Sequence, residues 1–198
     1  GGGVIGRGEA AVLIERFKAL CRDPRTPGRL AKLEAAADPD LYADVLSAIP
    51  RNVYEARDIY RSFTVMTAAS TSGVCGQDQV LSRIRSCTEQ SGLGVVIDFN
   101  GSARACSIDR EFLRELGIGV RTINDTPGTI AHRIIPEGNS LDPCREELER
   151  AYREDPSFQL GYVPDNDGDR GNFVYIDEAT GKARTLEAQE VFALAVLS

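Results

Sequence analysis

Three aspartates, Asp165, Asp167 and Asp169, stand at alternate positions in the string Gln159-Leu160-Gly161-Tyr162-Val163-Pro164-Asp165-Asn166-Asp167-Gly168-Asp169-Arg170, directly after an apolar run and directly before an arginine. Carboxylates this close repel one another, and without a cation some would take up protons at neutral pH. Hard oxygen ligands suit Mg²⁺ or Ca²⁺, and Mg²⁺ commonly shares its shell with a phosphate and water. The spacing predicts a metal loop on the end of a strand, with Asp165, Asp167 and Asp169 as ligands. A polar turn is the competing reading, because Asp, Asn and Gly favour turns on conformational grounds alone. The same Asp-x-Asp-x-Asp also opens an EF-hand type calcium loop. Its sixth position, normally Gly, is Arg170, however, and its twelfth, normally Glu, is Ile176.

Other residues with chemical potential are sparse. His132 is the only histidine, which confines any imidazole chemistry to one position. No partner for it can be named from the sequence, and a structural role is the simpler expectation. Ser70, Ser72 and Ser102 fall in polar loops, where serine mostly serves turns. The five cysteines, Cys21, Cys75, Cys87, Cys106 and Cys144, are scattered and never spaced Cys-x-x-Cys. They read as reduced, mostly buried thiols. The opening Gly1-Gly2-Gly3-Val4-Ile5-Gly6-Arg7-Gly8 has no strand before it, so a flexible connection is a better reading than a phosphate cradle.

The elements that must position these residues follow from patterning. With 42% hydrophobic residues in 198, the chain holds enough apolar material for a real core. No apolar run approaches the roughly 20 residues needed to span a bilayer, and no leader opens the chain, so a cytoplasmic location without a membrane partner is expected. A net charge of −7 argues against nucleic acid as partner. The chain starts without Met, its only one being Met66, which points to a piece of something longer. Residues 9–21 are expected to be helical, and 28–66 further helical material interrupted at Pro39 and Pro50. Candidate core there is Leu30, Leu33, Leu41, Val45, Leu46, Tyr54, Ile59, Tyr60 and Phe63. The small residues of 67–76 read as a linker.

From residue 78 the pattern alternates. A helix over 78–87 precedes the apolar run Gly94-Val95-Val96-Ile97-Asp98, the signature of a strand covered on both faces. A helix over 108–116, ended by Gly117, precedes a strand over 119–124. A helix over 142–154 precedes two strands, 159–163 and 173–177, that flank the acidic loop, and a last helix covers 186–197. The order predicts an α/β domain over 78–198, a layered sheet with helices on both faces, preceded by a helical segment over 1–77. Ligands of such sheets gather beyond the carboxyl ends of parallel strands, so 98–104, 124–133 and 165–170 are expected to converge.

Read together, these motifs resemble the α-D-phosphohexomutases, the phosphoglucomutase and phosphomannomutase group, and in particular their second, metal-binding domain. Val95-Val96-Ile97-Asp98-Phe99-Asn100-Gly101 is similar to that family's Val-Val-x-Asp-x-x-Asn-Gly strand and turn, one residue shorter. Phe112-Leu113-Arg114-Glu115-Leu116-Gly117 with the following strand is similar to its helix and second strand, and Ile134-Ile135-Pro136-Glu137-Gly138-Asn139 to its Pro-rich segment. The Asp-x-Asp-x-Asp-Arg loop is the closest match. The resemblance covers about residues 78–198; in 1–77 it is weak, as for the tail of a first domain with an insertion.

The resemblance implies a phosphoryl transfer between the 1- and 6-positions of a hexose phosphate, through a phosphoserine and a bisphosphate. Asp165, Asp167 and Asp169 would hold Mg²⁺, which offsets charge on the moving group. Arg170 carries over as a catalytic donor near the phosphoserine; its alternative is an ion pair that steadies the acidic loop. Asn100 and Gly101 either orient that loop or form the exit turn of their strand. The family's Ser-His-Asn-Pro loop, its Gly-Glu-x-Ser-Gly sugar string and its Ser/Thr-rich phosphate loop do not occur in these 198 residues. The chain alone is therefore expected to be inactive, with the remaining mutase domains as its partners. A calcium-binding module, or a non-catalytic interaction domain using the helices of 9–66, are the other readings.

Overall fold

A computed structural model describes residues 5–166, 168, 170–186 and 188–197. The chain divides into two compact units, Gly1–Tyr54 and Glu55–Ser198. The first contains α1 (Arg7–Arg22), α2 (Thr26–Ala35) and the start of α3 (Pro39–Ala69). Leucines and isoleucines punctuate these helices, yet α1 and α2 bury no residue. The expected core positions Leu30, Leu33, Leu41, Val45, Leu46 and Tyr54 are all exposed, a correction to the pattern-based reading. Apolar spacing specifies which face of a helix would be covered but supplies nothing to cover it, and among the described residues no buried hydrophobic cluster includes one of this unit. Pro50 does not end α3, which continues through it at the expense of one intrahelical hydrogen bond.

The second unit is a layered α/β structure. Helix α4 (Val74–Ser91) leads into β1 (Gly94–Asp98), α5 (Asp109–Glu115), β2 (Gly119–Ile123), α6 (Asp142–Glu154), β3 (Phe158–Pro164), β4 (Gly171–Asp177), β5 (Lys182–Thr185) and α7 (Ala188–Leu197). The strands form one sheet in the order β2-β1-β3-β4-β5. β1 is parallel to both β2 and β3, while β3, β4 and β5 are antiparallel neighbours. The small-residue stretch 67–76 is the end of α3 and the start of α4, joined at 70–73, rather than a linker. The edge strand β5 had no sequence signal, as Lys182-Ala183-Arg184-Thr185 carries a single apolar residue.

The layers follow from strand alternation. Val96 turns to one face with Val163, Val174 and Ile176, where α6 covers them through Cys144, Leu148 and Ala151, with Leu141 just ahead of the helix. Val95, Ile97 and Phe99 meet Ala105, Leu113, Ile118 and Leu160 on the other face. Beyond that face Ile108, Phe112 and Leu116 pack with Tyr60, Leu81 and Ile84 of α3 and α4. Covered on both sides, every residue of β1 is buried: the apolar run Val95 to Ile97 fills the core, and Asp98 closes the strand at its carboxyl end. Because β1, β2 and β3 run parallel, Asp98, Ile123 and Pro164 all end at one edge of the sheet.

Candidate functional site

At that edge β1 exits into a turn fixed by Asn100 and Gly101. The Asn100 side chain stitches down the loop that follows β2: its Oδ1 accepts from the Ala131 and His132 amides, each at 2.9 Å, and its Nδ2 donates to the His132 carbonyl at 3.0 Å. Gly101 has φ +65°, and a Cβ there would overlap the Thr129 carbonyl, so only glycine permits this approach. The Gly101 amide donates to the Asn124 carbonyl and the Gly128 amide to the Gly101 carbonyl, both at 2.7 Å. Segments 98–104 and 124–133 thus converge, as the topology rule requires.

Asp98 lies beneath this junction, fully buried. Its Oδ1 accepts from the Asn100 amide and from Asn124 Nδ2, each at 3.0 Å. Its Oδ2 faces His132 Nε2 at 3.1 Å. The second ring nitrogen of His132 faces the Arg133 carbonyl, also at 3.1 Å. Both ring nitrogens face acceptors of the protein, so whichever carries the proton ties His132 to this loop or to the buried carboxylate. Arg133, Glu137, Gly138, Asn139 and Ser140 line a cleft of about 590 Å³ together with His132. Asn172 Nδ2 anchors the same loop to β4 by donating to the Pro136 carbonyl at 3.2 Å.

The acidic loop is a hairpin connection between β3 and β4, whose last pair is Pro164 with Gly171. The Asp165 amide closes it by donating to the Arg170 carbonyl at 3.0 Å. Asp165 is fully buried, and its carboxylate holds the loop together: Oδ1 accepts from the Gly168 amide at 2.9 Å and the Arg170 amide at 3.2 Å. Arg170 Nε donates to Asp165 Oδ2 at 3.0 Å, the loop-steadying ion pair weighed above, with the arginine side chain 57% exposed. Asp167 and Asp169 lie outside the described residues, so their geometry as ligands does as well. Among the described residues no group of three His, Cys, Asp or Glu side chains gathers as a metal site. Of the oxygens described in this loop, those of Asp165 already accept from the Gly168 and Arg170 amides and the Arg170 guanidinium, while Asn166 Oδ1, a buried amide oxygen of the kind that suits a hard cation, has no hydrogen-bond partner. Position twelve of the EF-hand alternative, Ile176, is a core residue of β4, and a strand runs where that motif needs a helix.

Arg104, which sequence reasoning passed over, links the acidic loop to the exit of β1. Its Nη1 donates to Tyr60 Oη at 2.6 Å, Nη2 pairs with Asp109, and the guanidinium carbon sits 5.4 Å from the centre of the Tyr60 ring. Burial pushes the Asp109 carboxyl above its ordinary range, against the pull of Arg104. Gly168 lies on this fixed arginine: a Cβ built there would come 2.7 Å from Arg104 Cδ. All three expected segments therefore meet at one sheet edge. The Arg104 contact was not legible because nothing in a lone arginine reveals which loop it will support. No protein-family model matches the chain, and no curated protein matches it. No helix among the described residues is long and apolar enough to cross a membrane.

Proposed function

We propose that the α/β unit is the Mg²⁺-binding domain of a phosphohexomutase, an enzyme that moves a phosphoryl group between the 1- and 6-positions of a hexose phosphate. The observation that carries this reading is the placement of Asp165: a buried carboxylate on the carboxyl end of a central strand, in a loop that rests on the exit of the neighbouring parallel strand. Ligands of open α/β sheets collect at this edge. Asp165, Asp167 and Asp169 would hold the cation, with Asn166 close by in the same loop. When bound, the ion offsets charge on the transferring phosphoryl group.

The chain's own residues supply the frame. Asp165 fixes the loop backbone through Gly168 and Arg170. Arg170 keeps more than half of its side chain in solvent while its Nε holds Asp165, so the guanidinium stands at the surface of the acidic loop. The serine and sugar-recognition strings that this chemistry also needs belong, in this reading, to other domains.

Calorimetric titration of the whole chain with MgCl₂ tests the proposal. Weak saturable binding is expected, lost in Asp167→Ala. Absence of binding at millimolar Mg²⁺, or a variant that binds like the parent, would refute it.

A further inference from the structure

We infer that the α/β unit carries a second site, a pocket for a small, neutral aromatic molecule bearing a hydrogen-bond acceptor, on the face of the sheet turned away from α6. Strand alternation sets it up. Val163 of β3 and Val174 of β4 point to α6 and are sealed from solvent, whereas their neighbours Tyr162 and Phe173 on the other face are only partly buried. These two residues pair across the strands, with ring centroids 5.3 Å apart, and so make an aromatic wall. Phe112 and Leu113 of α5 and Tyr60 and Thr64 of α3 line the same pocket, which encloses about 350 Å³. Close-packed interiors leave few voids larger than a water molecule, and an apolar cavity of roughly 150 Å³ is already enough to take up benzene. The pocket shares no lining residue with the cleft beside His132.

The lining decides what fits. It is aliphatic and aromatic except where Tyr60, Arg104 and Asp109 meet. Arg104 pairs with Asp109 and donates to Tyr60 Oη at 2.6 Å, so the two charges are already matched. An anionic or cationic guest would give up its hydration without gaining an unpaired counter-charge, which selects a neutral one. Because the Tyr60 oxygen accepts from Arg104, its own O–H is left to donate, and the matching group on the guest is a carbonyl or ether oxygen. The Tyr162 and Phe173 rings favour a flat aromatic body. Burial raises both the Asp109 carboxyl and the Tyr162 phenol above their ordinary ranges, as befits polar groups in a water-poor cleft, and such groups gather at binding sites. The volume lies at the low end of the roughly 300–1,000 Å³ of small-molecule sites, so the pocket takes a single guest.

Prodan, a neutral naphthyl ketone whose emission brightens and moves to the blue in apolar surroundings, is the probe, titrated against the whole chain. One saturable site per chain is expected. Thr64→Trp fills the pocket from α3 and should weaken prodan binding about tenfold or more. Leu113→Trp fills the same space from α5 and takes its place should urea unfolding show the first variant to be unfolded. Tyr60→Phe keeps the apolar walls but loses the donor. It should weaken prodan about fivefold, the worth of one hydrogen bond, and leave the binding of N-phenylnaphthylamine, which lacks the carbonyl, as in the parent. A parent chain without saturable binding overturns the inference. So does a folded, filled variant that binds like the parent, since the probe would then sit on exposed apolar residues such as those of α1, and so does an unchanged prodan affinity in Tyr60→Phe.

Discussion

At Gly168 the backbone takes φ +78° and packs so near Arg104 that a methyl group would intrude on its side chain at 2.7 Å. An L-residue in this conformation costs about 1–2 kcal/mol before any clash is counted, and Arg104 cannot yield easily because Tyr60 and Asp109 hold its guanidinium. Gly168→Ala should therefore lower unfolding free energy by about 2 kcal/mol in urea titrations and weaken Mg²⁺ binding beyond the loss seen for a loop-surface change. Unaltered stability would show that the loop does not rest on Arg104. The aspartate spacing was legible because a local motif is written in consecutive residues. The pairing of His132 with Asp98 was not, since 34 positions separate them and only the meeting of two strand exits brings them together.

Elements were legible in proportion to how far their own burial dictated their residues. β1 reads as a strand because both its faces are covered, and α6 as a helix because Cys144, Leu148 and Ala151 recur on one side. β5 escaped notice because an edge strand of four residues needs little hydrophobic character. How closely α6 lies on β3 is set by one position that no periodicity reveals. A Cβ on Gly161 would fall 2.7 Å from Cys144 Sγ and 3.3 Å from Val174 Cβ, so the glycine is what lets the helix sit down on the sheet. Gly161→Ala is expected to cost about 1–3 kcal/mol by overpacking. Cys144→Ala opens space at the same contact, so the double variant should recover part of that loss, a coupling measurable as a double-mutant cycle. Additive effects would mean that helix and strand do not meet at this pair.

Across the whole molecule, burial is concentrated in the α/β unit, and the consequences for stability follow from what lies there. Leu30 and Leu33 of α2 and Leu41, Val45, Leu46 and Tyr54 of α3 were read wrongly as core, because an apolar stripe says nothing about the presence of a second layer. In the α/β unit the opposite holds, and a buried group can govern the global pH response. Cys144 is fully buried, and burial first, then the nearby Asp98 charge, pushes its thiol well above the ordinary range. In the unfolded chain the same thiol ionises above pH about 8.5. Between those limits the folded state binds the extra proton, so unfolding releases one and stability falls as pH rises. The slope should approach about 1.4 kcal/mol per pH unit, and nothing should be lost from this group below the unfolded value. Tyr162, also raised mainly by burial, adds to the decline above pH about 10. The other four cysteines, Cys21, Cys75, Cys87 and Cys106, are exposed, against the expectation of mostly buried thiols. Urea midpoints measured from neutral pH to pH about 10 should thus drop steeply for the parent and more gently for Cys144→Ala, which is less stable at neutral pH but lacks the thiol. Parallel curves for the two proteins would show that Cys144 reaches water in the folded state, and with it that α6 does not seal this face of the sheet.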